Sequence, residues 1–302
     1  MTKRIPYLFV LGICLTAAIY SHPVCFGREI TDQLGRTISL SAKPQRIVAL
    51  APNITELVYA LGQQHRLVGA TRFSDYPPEA DSLPKVGSYV YLDLEKIVGL
   101  KPDLCIATKD GNPKAVVDRL EALGIPVYAV DLRNLESVVD TVVEMGHLLG
   151  AADAAQVLQS DLQTRIQRID EAVATVEHRP RVFFQIGVSP IVSIGTNTFI
   201  HGLIEKAGGR NVAEGPTSYP RLSRERVIAF APDVLVISSM YSMDAVKRVK
   251  AEWHRWQEIP AVRHDRIHLV DSGRFDRATP RLVDALEILA RIIHPDLFGE
   301  SR

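Results

Sequence analysis

The chain has 302 residues, 46% of them apolar, with 35 basic and 35 acidic side chains. That length holds one large core or two medium ones. A formal net charge of zero offers no electrostatic attraction to nucleic acid or to an anionic membrane surface, which argues against both as partners.

The first residues depart from this globular average. Lys3 and Arg4 precede an uncharged apolar stretch over 5–20, and the small and turn-forming string SHPVCFG follows. A basic start, a short apolar run and a small-residue exit describe a secretory signal peptide. The run falls short of the ~20 residues that a membrane-spanning helix needs. Of two candidate cleavage points, Ser21 and Gly27, the second is favoured, which makes 1–27 the signal peptide and the mature chain periplasmic. A lipid anchor would need a cysteine directly after small residues, whereas Cys14 follows Ile13 and Cys25 follows Val24, so none is expected. Cleavage leaves Cys105 alone, without a disulfide partner and expected in the core. An exported chain with no disulfide framework fits a bacterial periplasm.

From Arg46 onward, short β-branched apolar runs alternate with helical patterns. The order predicts strands over 46–50 and 67–70 around a helix over 53–61. A helix over 94–100, a strand over 104–107, a helix over 115–123, a strand over 127–131 and a helix over 135–149 follow. Runs apolar on both faces, alternating with helices, predict a parallel sheet covered on both sides. Residues 151–178 break the rhythm. Leu158, Leu162, Ile166, Ile169, Val173 and Val176 draw one stripe at helical spacing, with no Gly or Pro between Gly150 and Pro180. At 1.5 Å per residue that helix reaches about 40 Å. Beyond it come a strand over 181–185, helices over 199–207 and 224–230, strands over 234–238 and 266–270, and a helix over 280–293.

The two halves share wording. LEKIVGLKPDLCI at 94–106 and RERVIAFAPDVLV at 224–236 align without a gap over 13 positions. In each, Glu opens a short helix, Pro-Asp ends it and a buried strand follows. Pro stops the helix because it lacks an N–H and crowds the preceding turn. GIPVYAVD pairs with DRIHLVDS, and TELVYALG with FIHGLIEKAGG. Any helix-to-strand unit shares some of this pattern, but agreement of that length and order predicts a duplicated lobe. The expected fold is α/β: two similar three-layer lobes, over 28–150 and 179–302, joined by one long helix over 151–178, with a cleft between them.

Catalytic motifs are hard to find. No GxxxxGK[ST] or GxGxxG string occurs, and the nearest approach to GxSxG, Gly187-Val188-Ser189-Pro190-Ile191, lacks the second glycine. Of nine histidines only His264 and His268 stand four apart, and they straddle a strand entry, so no metal site is expected. Aromatic, amide and basic residues instead gather at the predicted strand ends, where open α/β sheets bind ligands. In the first half these are Pro52 and Asn53, residues 73–76 with Phe73, Tyr89 and Tyr91, and residues 108–112 with Thr108, Asp110, Gly111 and Asn112. In the second they are Gln185 and Gly187, residues 195–197, Tyr219, Met240 and Tyr241, and residues 274–277 with Arg274, Phe275 and Arg277. Apolar faces with a few oriented polar groups suit a large, partly apolar ligand held without reaction.

RIVALAPNITELVYALG, GATRFSDYPPEA, LDLEKIVGLKPDL with the later DGN, GTNTFIHGLIEKAGGRNVA, SYPRLSRERVIAFAPDVLVI and FDRATPRL together resemble a known family. It is that of the substrate-binding proteins of ABC importers for vitamin B12, ferric siderophores and haem. The likeness runs over about 44–293, and SDYPPEA with the two Glu-bearing helices brings it nearest the vitamin B12-binding member. The resemblance implies a class III periplasmic binding protein: two lobes on a rigid helix, limited hinge closure and no catalysis. It implies a monomer whose only non-protein group is its cargo, a cobalt corrinoid or an iron complex. The partner implied is a permease dimer with its ATPase subunits, whose arginines meet Glu95 and Glu225, one on each lobe. An Arg–carboxylate pair is directional, and two such handles let the permease pull the lobes apart. A Glu in a helix's first turn also complements the helix dipole. Where the B12-binding member has cleft tryptophans this chain has Tyr89, Thr108, Tyr219 and Arg274, while Phe73, Phe275 and Arg277 match; Trp253 and Trp256 fall in a helical stretch away from the cleft. A corrinoid is therefore the first expectation, and a ferric siderophore or haem the alternative, with Tyr89, Tyr91, Tyr219 or Tyr241 on the iron. A tetrapyrrole chelatase needs a His beside a carboxylate, and no strand end named above holds one. A zinc or manganese receptor needs three or four His, Asp or Glu facing the cleft.

Overall fold

The structure is a computed structural model describing residues 28–40, 43–238 and 243–298; the expected signal peptide, Met240 and Tyr241 lie outside them. A hairpin of β1 (Arg28–Thr31) and β2 (Thr37–Leu40) comes first. It is followed by β3 (Ile47–Ala49), α1 (Pro52–Ala60) and β4 (Leu67–Ala70). Next come α2 (Leu94–Gly99), β5 (Leu104–Thr108), α3 (Lys114–Ala122), β6 (Val127–Val130) and α4 (Leu135–Leu149). The first lobe's sheet has the order β4-β3-β5-β6, all parallel, as βαβ crossovers require.

After α5 (Ala152–Val173) the chain builds β7 (Arg181–Gly187), β8 (Ile191–Ser193), α6 (Phe199–Lys206), β9 (Arg210–Asn211) and β10 (Arg221–Leu222). It continues through α7 (Arg224–Phe230), β11 (Val234–Ser238), α8 (Met243–Trp253), α9 (Pro260–Arg263) and β12 (Ile267–Val270). The last helices are α10 (Ser272–Phe275), α11 (Leu282–Ile293) and α12 (Pro295–Phe298). In this sheet β9 and β11 lie parallel to β7 and β12 parallel to β11, but β8 and β10 run antiparallel at the edge. The second lobe is thus mixed rather than purely parallel. Its extra strands are two or three residues long, too short to leave a periodic signal.

Side-chain alternation sorts each sheet into two cores. Ile47, Ala49, Leu104, Ile106, Tyr128 and Val130 point one way, while Val48, Leu50, Cys105, Ala107, Val127 and Ala129 point the other. In the second lobe Val182, Phe184, Val234 and Val236 separate from Phe183, Leu235 and Ile237 in the same manner. The first set from each lobe meets in one continuous cluster with α1, α4, α5, α6 and α11. The outer faces are covered separately, by Ile97 of α2 and Leu120 of α3 on one lobe and by Val227 of α7 and Trp253 of α8 on the other. The lobes therefore share a core.

Helix α5 crosses that shared core. Leu162, Ile169 and Val173 are buried and Leu158 and Ile166 pack against the cluster. It is about 33 Å long, shorter than the sequence pattern suggests: Val173 is its last residue and Val176 falls beyond the last turn. A β-carbon on Gly146 of α4 would stand 2.3 Å from that of Ala155, so glycine permits the two helices their close approach. Arg165 of α5 grips Glu287 at 2.8 Å and Asp284 at 2.5 Å, tying α5 to α11.

The repeated string folds twice alike. Asp93 caps α2 by accepting from the amide of Lys96 at 3.0 Å, and Ser223 caps α7 by accepting from that of Arg226 at 3.2 Å. Lys101 and Ala231, each just before proline, adopt left-handed φ of 48° and 46°. The aspartates of the two Pro-Asp pairs then receive the start of the neighbouring strand. Asp103 accepts from the amides of Gln45 and Arg46 at 2.6 and 2.9 Å, and Asp233 from that of Arg181 at 2.9 Å.

Candidate ligand-binding cleft

Strand ends from both lobes face each other across a cleft of about 1020 Å³. The first lobe contributes Ala51, Pro52 and Asn53 after β3, Phe73 after β4, Tyr89, then Thr108, Asp110 and Gly111 after β5, and Leu132, Arg133 and Asn134 after β6. The second lobe contributes the start of α6 with Thr196, Asn197, Thr198, Phe199, His201 and Gly202, then Tyr219, and Ser272, Gly273, Asp276, Arg277 and Ala278 around α10. The N-termini of α1 and α6 open onto it from opposite sides.

The aromatic contribution is real. Phe73, Tyr89 and Tyr219 are 42%, 38% and 55% exposed, too much for residues spent on packing. The rings of Phe73 and Tyr89 meet at 5.9 Å with a 57° tilt, and the guanidinium of Arg72 lies 4.9 Å from the Phe73 centroid. A β-carbon at Gly111 would approach Thr108 Cγ2 to 2.8 Å, so glycine there leaves the Thr108 side chain its place beside Tyr89.

Of the sequence-derived candidates, Asn53, Phe73, Tyr89, Thr108, Asp110, Gly111, Tyr219 and Arg277 line the cleft. Five others do not. Asn112 is buried, donating to the carbonyls of Leu50 and Tyr89 at 2.8 Å each and accepting from the amide of Thr108 at 2.8 Å, so it braces the Tyr89 loop from behind. Gln185 is buried and its amide is spent, accepting from Trp253 Nε1 and donating to the Gly187 carbonyl, both at 2.8 Å. Phe275 is fully buried against Phe184 at 5.6 Å. Arg274 turns to Asp271 at 3.7 Å, and Tyr91, 81% exposed, stands on the outer surface. Tyr241 lies outside the described residues.

Other liners escaped sequence reasoning. Leu132, Arg133 and Asn134 follow β6, where the strand-end rule already points. Phe199 and His201 sit within the first turn of a helix, a place that reads as packing. His201 also removes the argument that the cleft lacks a histidine. Asp276 fell inside the 274–277 stretch named from the sequence, though its neighbours were the residues singled out there. The three cysteines reduce to one among the described residues, Cys105, buried and with its thiol pushed up to about 12 by burial, which keeps it inert.

A group of charges joins the lobes beside the cleft. Glu56 of α1, its side chain 3% exposed, accepts from Arg281 Nε and Nη2 at 2.8 Å each and from Arg277 at 3.1 Å. Arg277 also reaches Asp75 at 2.6 Å, and Arg281 stacks on Tyr76 at 3.6 Å. The hydrogen bond from Arg277 holds the Asp75 carboxyl below its ordinary value. Asp276 behaves oppositely. Burial pushes its carboxyl up to about 6, against the hydrogen bond with Ser238 at 3.2 Å. Desolvation, then Asp276 and Asp110, raise the Tyr219 hydroxyl.

Glu95 and Glu225 are both exposed, each second in its helix, α2 or α7. Hydrogen bonds from its own amide and from Ser223 hold the Glu225 carboxyl low. Among the described residues no three His, Cys, Asp or Glu come together as metal ligands, and no helix is long and apolar enough to cross a membrane.

Two lobes on one core, with an open aromatic and polar cleft between their strand ends, define a receptor for a bulky ligand. Residues 47–272 match the periplasmic binding protein family, to which this chain belongs. It is 32% identical over 254 residues, 84% of this chain and 89% of the relative, to a vitamin B12-binding protein of Photorhabdus laumondii. The crystal structure of the periplasmic vitamin B12 binding protein of Vibrio cholerae superposes with a TM-score of 0.73 at 30% identity, covering 83% of this chain and 96% of that one. A periplasmic heme binding protein from Pseudomonas aeruginosa superposes with a TM-score of 0.75 at 28% identity, covering 84% and 94%.

Two outcomes follow from the charges. Glu56→Gln removes the carboxylate that Arg281 pairs with and one of the two that Arg277 pairs with, and lowers unfolding free energy by about 3 kcal/mol, whereas Asp75→Asn at the exposed rim costs under about 1 kcal/mol; urea unfolding of both variants measures the contrast. For Asp276 the folded value of about 6 exceeds the ordinary 3.8, so the folded state binds the extra proton in between and stability falls as pH rises through that window. Melting curves of the wild type should therefore drop relative to Asp276→Asn from about pH 4 to about pH 6 and run level above it. Parallel curves throughout would contradict the assignment.

Proposed function

We propose that the protein is the substrate-binding component of an ABC importer in the periplasm, holding a corrinoid in its cleft and handing it to the membrane permease. The observation that carries this reading is the cleft itself: about 1020 Å³, walled by Phe73, Tyr89, Phe199 and Tyr219, with polar groups at its margins. An apolar wall receives a macrocycle face, and the margins receive polar side arms. The kinship with vitamin B12-binding proteins supports the corrinoid. Nothing reacts in such a site; binding and release are the function.

Haem is the second reading, favoured by Tyr89 and Tyr219 in the cleft and by the kinship with a heme binding protein. Titration of the purified chain with cyanocobalamin, hemin and ferric siderophores, followed by calorimetry, separates them. Tight binding of cyanocobalamin is expected. Binding of an iron complex with no response to cobalamin would replace the corrinoid.

Glu95 and Glu225 are the docking handles in this proposal, received by arginines of a permease dimer with its ATPase subunits, while the receptor works as a monomer. Their exposure and matching helix positions support it. Reversing both, Glu95→Arg with Glu225→Arg, leaves ligand affinity unchanged and abolishes stimulation of the transporter's ATPase in reconstituted vesicles. Undiminished stimulation would refute the two-handle scheme.

A further inference from the structure

His201 lines the cleft from α6, and its ring is held from behind by a residue whose orientation is settled by backbone groups. Asn211 is fully buried. Its Oδ1 accepts from the amide of Ala213 at 3.0 Å, and its Nδ2 donates to the carbonyl of Ile194 at 2.9 Å. An amide N–H only donates and a carbonyl only accepts, so the side-chain amide has one workable orientation. Its second Nδ2 hydrogen is left for His201 Nδ1, 3.2 Å away. Nδ1 must then carry the lone pair, and the neutral ring keeps its proton on Nε2. The backbone amide of His201 is fixed too, donating to Thr198 Oγ1 at 3.2 Å, while Thr198 donates to the Gly195 carbonyl at 2.9 Å. Nε2 lies on the side of the ring away from Asn211 and has no partner among the described residues.

We propose that His201 is a fixed hydrogen-bond donor of the cleft, presenting Nε2–H to an acceptor on the periphery of the ligand, and that it does not ligate the metal. A histidine that binds metal through Nε2 holds its proton on Nδ1 and gives it to a carboxylate, carbonyl or water behind the ring. Here the group behind the ring is itself a donor. Metal ligation would place two N–H groups against each other in a partly buried site, or turn the Asn211 amide against Ala213 and Ile194. The ligand chemistry that fits is an amide carbonyl or carboxylate at the rim of the macrocycle. This second half rests on the receptor reading above; the proton's position does not.

The test separates the two. Nitrogen-15 NMR of the unliganded full chain at about pH 8, where imidazoles are neutral, with the His201 ring identified by its loss in His201→Gln, should show the proton on Nε2. A proton on Nδ1 overturns the proposal whatever the cleft binds. Aquocobalamin and hemin are then titrated, since an imidazole lone pair entering the coordination sphere of either metal changes its visible spectrum. The expected spectra lack imidazole ligation; His201→Leu weakens binding about fivefold, and His201→Gln, which keeps a donor, recovers most of that loss. An imidazole-ligated spectrum that vanishes in His201→Gln, or equal affinity in His201→Leu, overturns it. If neither probe binds while the proton sits on Nε2, the donor assignment stands and the receptor reading falls.

Discussion

Glu56 sets the terms for the rest of the molecule. A carboxylate with 3% of its side chain exposed has given up hydration worth several kcal/mol and requires its cations in every state the protein visits. Those cations, Arg277 and Arg281, belong to the other lobe. The separation of the lobes beside the cleft is thus fixed by a charge that has no water to fall back on. The continuous apolar cluster through α4, α5 and α11 adds a second restraint, since opening it would expose buried side chains at about 1.5–3 kcal/mol each. A frame so restrained adapts to a ligand through side chains and loops rather than by a wide hinge, which suits exposed aromatics such as Phe73 and Tyr219 that stand outside the strands and helices.

The duplicated lobe shows which parts of a sequence physics repeats. The Pro-Asp turn recurs because each lobe must stop a helix and enter a central strand, and the aspartate recurs because the neighbouring strand begins with unpaired amides. What faces the cleft does not recur. Tyr89, Thr108 and Asp110 line it from the first lobe, whereas His201, Tyr219 and Arg277 line it from the second. Two copies of one architecture thereby present unlike walls, as an asymmetric ligand demands.

The framework was legible because it is periodic. Strands apolar on both faces, the stripe of α5 and the thirteen-position repeat all follow from spacing, and each has its counterpart in the structure. The cleft was legible only in part, because position in the chain does not say which way a side chain turns. Phe275 and Arg277 are two apart, yet one is fully buried and the other lines the cleft; α10 is a single turn and its rotation is set by packing against Phe184. Nothing local in the sequence marks Glu56, since its partners stand 221 and 225 residues away. His201 was hidden by the same distance effect on a smaller scale, its meaning residing in Asn211 ten residues on.

These features divide the molecule into a part that holds and a part that is held. Helices α2 and α7, which carry Glu95 and Glu225, pack on the sheet faces turned away from the shared core. The Glu56 cluster lies on the cleft side, where Arg277 lines the cavity. A partner gripping α2 and α7 would therefore act on the lobes from outside, through faces turned away from the core that joins them. Among the described residues of the Glu56 cluster, Arg277 alone also lines the cleft, bound to Glu56 and Asp75 while facing the cavity. Any movement that separates Glu56 from Arg277 therefore also shifts a residue of the cleft wall.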